Sequence, residues 1–161
     1  MIGDNVGMMI LGIFCLGGWL VSTALVDFFT IPTLFRSGID FYQAGEIGMS
    51  LFKKFNYLEI FLGLGLSFGL WNTLAHKFSR VVLVVLSMLP FLYAFYFTPS
   101  ISARYVKMKE VEQTNPTLYQ ELFDAHQFFH KLYVQIDGVK LILLVIIFAL
   151  LLFKNKKGQL V

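Results

Sequence analysis

Cysteine occurs once in this chain, at Cys15, which excludes an internal disulfide and any multi-thiolate metal site. Charge is scarce too. Asp, Glu, Lys and Arg make up 14% of the 161 residues, whereas an ordinary soluble domain carries about 25%. The net charge is only +3, and the basic residues sit mainly at the ends of apolar runs. Without a polybasic arm, nucleic acid is not an expected partner. Nucleophile motifs, glycine-rich phosphate loops and dinucleotide fingerprints are all missing, so nothing advertises an enzyme and no catalytic residue is assigned. Met8, Met9, Met49, Met88 and Met108 are scattered and make no thioether cluster for copper. No cofactor is expected.

What is present is apolar. Hydrophobic residues reach 57%, Phe alone numbers 18, and the mean hydropathy is +0.71. Lipid is the solvent such a composition suits. Cys15 falls in the middle of the first apolar run, as expected of a buried, inert thiol. No basic residue precedes that run and no small-x-small cleavage site follows it, so it reads as a retained span.

Four spans are expected, at about residues 6–29, 55–75, 81–103 and 132–153. The first rests on Asn5–Val26, 22 residues without a charge, and the third on Val81–Ala103, 23 such residues. Pro32 ends or bends the first; Pro90 and Pro99 kink the third. Gly12, Gly17, Gly18 and Ser22 smooth one span, and Gly63, Gly65, Ser67 and Gly69 smooth another. Those faces can meet each other, a second copy of the chain or another membrane subunit. The stretches 33–54 and 100–130 mix aromatics, glycines and charges, and are expected to be interfacial segments. The fourth span belongs to a helix opened by Asn115 as cap and Pro116 at its first position.

The candidate site follows from depth. The apolar run Leu141–Phe153 has 13 residues and reaches only about 20 Å, short of the roughly 30 Å of a hydrocarbon core. The bilayer therefore also takes up Asp137 and Lys140. Glu59 lies inside the second span for the same reason, because Ile60–Ala75 spans only about 24 Å. His126, His130, Tyr133, Asp137 and Lys140 fall within an arc of about 80° on one helix face. With four spans, the end of the first, the start of the second, the end of the third and the start of the fourth share one membrane side. Asp27, Glu59, Arg104 and the 126–140 stripe occupy those four places. Ionisable groups at bilayer depth are costly and tend to pair or line wet cavities. Two readings follow: one shared polar site, or independent boundary markers in which Asp137 merely pairs with Lys140 along its own helix. In the first, the carboxylates supply charge, Lys140 balances it and His130 responds to pH.

His126 and His130 have the i, i+4 spacing that lets two imidazoles reach one metal. A zinc site would need a third ligand from Glu59, Asp27 or Asp137. A pair of interfacial histidines among aromatics is the plainer alternative.

Val26-Asp-Phe-Phe-Thr-Ile-Pro-Thr-Leu-Phe35, then Gln43-Ala-Gly-Glu-Ile-Gly-Met-Ser-Leu-Phe52, resembles the transmembrane-protein-205-like family, domain of unknown function 4149. Pro99–Glu112, Asn115-Pro116, Tyr119, Leu122 and His130 continue the resemblance. It implies a compact bundle of about four membrane helices and no settled activity. His126 has no counterpart in that pattern. A fainter similarity, at the proline-x-leucine-phenylalanine end of the first span, is to haem- and copper-associated four-helix membrane proteins.

The sequence thus predicts one all-α domain in the cell membrane, a multi-pass transmembrane bundle of four helices with one or two interfacial helices. Its expected function is binding or helping to move a cation or small solute at Asp27, Glu59, His126, His130, Tyr133, Asp137 and Lys140. A haem or metal redox protein using His126 and His130, and a non-catalytic membrane scaffold, are the alternatives.

Overall fold

The computed structural model describes residues 2–74 and 76–156, and every regular element among them is helical. Four rods make the bundle. The first joins α1 (Ile2–Ala24), a π-turn (Leu25–Thr30) and α2 (Ile31–Arg36); the second is α3 (Phe41–Leu70). The third joins α4 (Lys77–Leu92), a second π-turn (Tyr93–Phe97) and α5 (Thr98–Val111); the fourth is α6 (Pro116–Lys156). Three stretches among the described residues are long and apolar enough to cross a membrane: Val6–Arg36, Lys77–Val111 and Pro116–Phe153. Asn56, Glu59 and three glycines dilute the apolar half of α3. The outer face is greasy, with Phe14 (74%), Phe61 (73%) and Phe68 (71%) largely exposed. Soluble proteins rarely leave so many large apolar side chains uncovered.

Local chemistry sets the helix ends. Gly38, at φ 78°, turns the chain after α2. Asp40 then caps α3, its Oδ2 accepting from the N–H groups of Tyr42 (2.9 Å) and Gln43 (3.2 Å). Asn115 Oδ1 accepts from Leu118 N–H at 3.1 Å, and Pro116 opens α6 as its sequence implies. His76 Nδ1 accepts from Phe78 N–H at 3.3 Å at the head of α4.

The expected segment boundaries shift for one reason. Nothing between Phe41 and Leu70 or between Pro116 and Lys156 breaks a helix, so both run through their charged portions. The stretch 33–54 divides between the end of α2 and the first half of α3, while 100–130 divides between α5 and the first turns of α6. The helix containing 55–70 stops at Leu70, and Ala75, at the end of the expected second span, lies outside the described residues. So does Lys157 of the terminal lysines.

Proline acts through the residues before it. In a regular α-helix a proline ring clashes with the carbonyl four residues earlier, which is that of Phe28 for Pro32 and of Phe95 for Pro99. Both carbonyls lie within the π-turns. Widening to i→i+5 bonding relieves the clash: Ile31 N–H reaches Val26 O, and Thr98 N–H reaches Tyr93 O. Thr30 Oγ1 donates to Leu25 O at 2.9 Å and satisfies another carbonyl of the widened turn. Pro90, by contrast, sits inside α4, which continues as α-helix through Leu92.

Packing divides into three layers. At one end, Leu16, Leu66, Leu70, Leu83, Leu86, Leu144 and Ile147 form a dry core. At the other, Tyr93, Phe97 and Tyr133 pack with Phe52 and Phe129. Glu59, Asp137 and Lys140 lie between them in the chain order of α3 and α6. α1 crosses α3 closely, where a Cβ on Gly69 would collide with the backbone of Gly12 and the Met8 carbonyl. A Cβ on Gly65 would stand 2.6 Å from Cys15 Sγ. The smooth faces of the two segments therefore meet inside the chain. Ser87 Oγ, donating to the Gly63 carbonyl at 3.0 Å, ties α3 to α4.

Gly69→Leu is expected to cost about 1–3 kcal/mol or more, because the backbone itself must part. Gly17→Ala, whose Cβ meets nothing within 4 Å, should hold or raise the melting temperature in detergent micelles. Equal melting of the two variants would contradict the crossing.

Candidate functional site

Lys140 is the centre of the polar layer. Its side chain is fully buried, and its Nζ lies 2.5 Å from Glu59 Oε1 and 2.5 Å from Asp137 Oδ1. Asp137 is three residues away on the same helix, whereas Glu59 is reached across the bundle on α3. Trp19 Nε1–H, from α1, donates to the same Glu59 oxygen at 2.8 Å. Aromatic faces enclose the ammonium: its Nζ is 5.5 Å from the Tyr93 ring centre and 5.8 Å from that of Phe55. Taking an ammonium and a carboxylate out of water costs several kcal/mol per ion, which only close pairing and further hydrogen bonds offset. The pairing here draws on three helices.

Asp27 completes the acids. The first π-turn carries it, and its carboxyl lies within hydrogen-bond reach of the Asp137 carboxyl. Two carboxylates thus share a single ammonium, and a third carboxyl adjoins one of them. Glu59 Oε2, Thr23 Oγ1 and Tyr93 OH are buried without a hydrogen-bond partner among the described residues.

Asp27 and Asp137 also line a cavity of about 520 Å³ bounded by α2, the first half of α3, α5 and the first half of α6. Aromatic rings stand on every wall, among them Phe35, Phe52, Tyr105, Tyr119 and Phe123. Tyr133 lines it too, with its hydroxyl donating to Asn56 Oδ1 at 3.3 Å and its ring 4.8 Å from that of Tyr93. Asn56 in turn donates to Thr98 Oγ1 at 2.7 Å, so α3, α5 and α6 are pinned beside the cavity. Tyr105 OH donates to the Tyr42 carbonyl. The Tyr42 phenol, also on the wall, is held above its ordinary pKa, first by its hydrogen bond to the Glu112 carboxylate and then by burial.

The sequence-predicted residues fare differently. Asp27, Glu59, Asp137 and Lys140 come together, so Asp137 and Lys140 do not form a pair closed on their own helix. His126 and His130 line the cavity with rings parallel and centroids 6.4 Å apart. Two of the acids proposed as third metal ligand, Glu59 and Asp137, are engaged by Lys140. Among the described residues no group of three or more His, Cys, Asp or Glu side chains could hold a metal ion. Arg104 stands apart from the cluster, its guanidinium 3.9 Å from the Phe129 ring centre and its Nη1 donating to Ser100 O at 2.7 Å.

Sequence reasoning missed Trp19, Thr23, Asn56 and Tyr93. One signal was present, since Trp19, Thr23 and Asp27 are spaced four apart and share one helix face. Nothing marked Tyr93 inside its apolar run, because its role is set by neighbours on other helices. Comparison with protein-family models, with curated proteins and with solved structures finds no match.

Lys140→Met should destabilise the protein by about 3–5 kcal/mol, since it strands buried carboxylates. Adding Glu59→Gln to that variant should recover part of the loss, with a coupling of about 1–3 kcal/mol in a double-mutant cycle. Strict additivity in thermal or denaturant unfolding would show that the two side chains do not meet.

Proposed function

We propose that this chain is a multi-pass integral membrane protein of the cell membrane that binds a cation at the Asp27–Asp137 end of its cavity and helps it cross. The observation that carries this reading is the charge balance at the cavity floor: Glu59 and Asp137 share one ammonium, and a further carboxyl, Asp27, lies beside Asp137. Buried carboxylates left uncompensated are costly, so the floor favours an arriving positive charge. The unpartnered Oε2 of Glu59 behind that floor adds to the shortage of positive charge. Polarity is also one-sided. The cavity lies on the Tyr93–Tyr133 side of the polar layer, and the leucine-rich core seals the other. A cation entering by the cavity would stop at the polar layer, and movement past it would need the dry half to open. Resemblance to the transmembrane-protein-205-like family implies a bundle of about four membrane helices and adds no activity.

Both π-turns flank this site, one carrying Asp27 and the other Tyr93. Such widened turns recur at functional sites, where a helix must present a side chain or carbonyl off its regular position.

Asp27→Asn removes one floor carboxyl while leaving the Lys140 pairs in place. It should fold normally and bind cations at least about tenfold more weakly, a change of about 1.4 kcal/mol. Thermal-shift titrations and proteoliposome uptake across Na⁺, K⁺, Mg²⁺ and alkylammonium ions measure this. Identical behaviour of wild type and variant across the whole panel would remove the reading.

A further inference from the structure

We infer that the cation taken by this cavity is an organic ammonium carrying an apolar or aromatic body, rather than a bare metal ion; this rests on the cation-binding reading above. Size is the first consideration. A cavity of about 520 Å³ falls within the roughly 300–1,000 Å³ range of small-molecule sites. A desolvated metal ion would fill a small fraction of it. The donor set is the second. Metal ions such as Mg²⁺ and Ca²⁺ require about six or more oxygen ligands, and no group of three or more candidate side chains is assembled among the described residues. Two of the lining hydroxyls, Tyr133 OH and Thr98 Oγ1, are already bonded to Asn56.

An ammonium asks for much less. One or two carboxylates at the head and aromatic faces around the body suffice, because a ring face attracts a cation within about 6 Å of its centre. The cavity has that division of labour: Asp27 and Asp137 at the floor, Phe35, Phe52, Tyr119 and Phe123 on the walls. The chain also contains its own example of the match. The ammonium of Lys140 sits on Asp137 at 2.5 Å, with the Tyr93 and Phe55 rings 5.5 and 5.8 Å from the nitrogen. A primary ammonium with a greasy stem is therefore already accommodated at this carboxylate from the buried side. The inferred ligand approaches the same acid pair from the cavity side. Independently of the floor, Glu59 keeps one oxygen unpartnered although its side chain is wholly buried, so the acidic layer can accept further positive charge.

The probes are 4-phenylbutylammonium, its neutral counterpart 4-phenylbutanol, and Na⁺, K⁺ and Mg²⁺. They are titrated by calorimetry and thermal shift into the detergent-solubilised full chain and into Asp27→Asn. The expected result is saturable binding of the ammonium at least tenfold tighter than the alcohol, with that preference collapsing in Asp27→Asn. Tyr119→Ala should weaken ammonium binding several-fold, and Tyr119→Phe should restore it. Binding of a metal ion but of neither organic probe would overturn this inference and leave the cation reading standing. Equal binding of the ammonium and the alcohol would overturn this inference, and no binding of any cation would overturn both.

Discussion

The structure depends on one buried lysine. An ammonium stripped of water is tolerable only if opposite charge is brought to it, and Lys140 recruits Asp137 from its own helix and Glu59 from α3. The Glu59 oxygen that receives it also takes the indole N–H of Trp19, which draws in α1. Three of the four rods are thereby fixed in register by a single nitrogen. The fourth enters through Tyr93, whose ring faces the same ammonium. Apolar packing holds the helices together on either side of this layer without choosing among the many ways greasy rods can slide. The ion pairs choose.

Register alone would give a closed bundle, and the prolines open it. Pro32 and Pro99 force the preceding turns to widen, and those turns carry Asp27 and Tyr93. Beyond them, α2 and α5 pack with the first halves of α3 and α6 around the aromatic cavity. Regular α-helix there would set Asp27 at a different rotation. The glycine crossing between α1 and α3 works at the opposite end, where Gly12 and Gly69 bring the backbones together. One end of the bundle is tight and dry, and the other is wide and lined with aromatic and polar groups.

Much of this was legible in the residues. Asn115-Pro116 announced a helix start, and the glycine faces of α1 and α3 meet as their spacing implied. The expectation of Asp27, Glu59 and Asp137 on one side followed from counting crossings; in the structure Lys140 bridges Glu59 and Asp137, and Asp27 lies beside Asp137. What local pattern could not supply was continuity. A segment such as 41–54, with two lysines, a glutamate and glycines, reads as interfacial because its composition is mixed. It is helical because Asp40 caps it, no proline interrupts it, and α1, α2 and α5 pack against α3. The partners of the acids were equally hidden. Trp19, Asn56 and Tyr93 acquire their roles from residues at least 40 positions away in sequence, and apolar periodicity carries no trace of that. Nor did the 3, 4 spacing along α6 distinguish Lys140 paired within its helix from Lys140 reaching across the bundle.

That last distinction is the central one, and magnetic-resonance distance measurement addresses it directly. With ¹⁵N placed on the lysine side chains and ¹³C on the carboxyl carbons, dipolar dephasing of the Lys140 ammonium reports both neighbours in lipid bilayers. Contacts of 2.5 Å from Nζ to each carboxylate oxygen predict carboxyl carbons of Asp137 and Glu59 both within about 4 Å, with Glu59→Gln removing one of the two signals. Dephasing by Asp137 alone, unchanged by Glu59→Gln, would contradict the account.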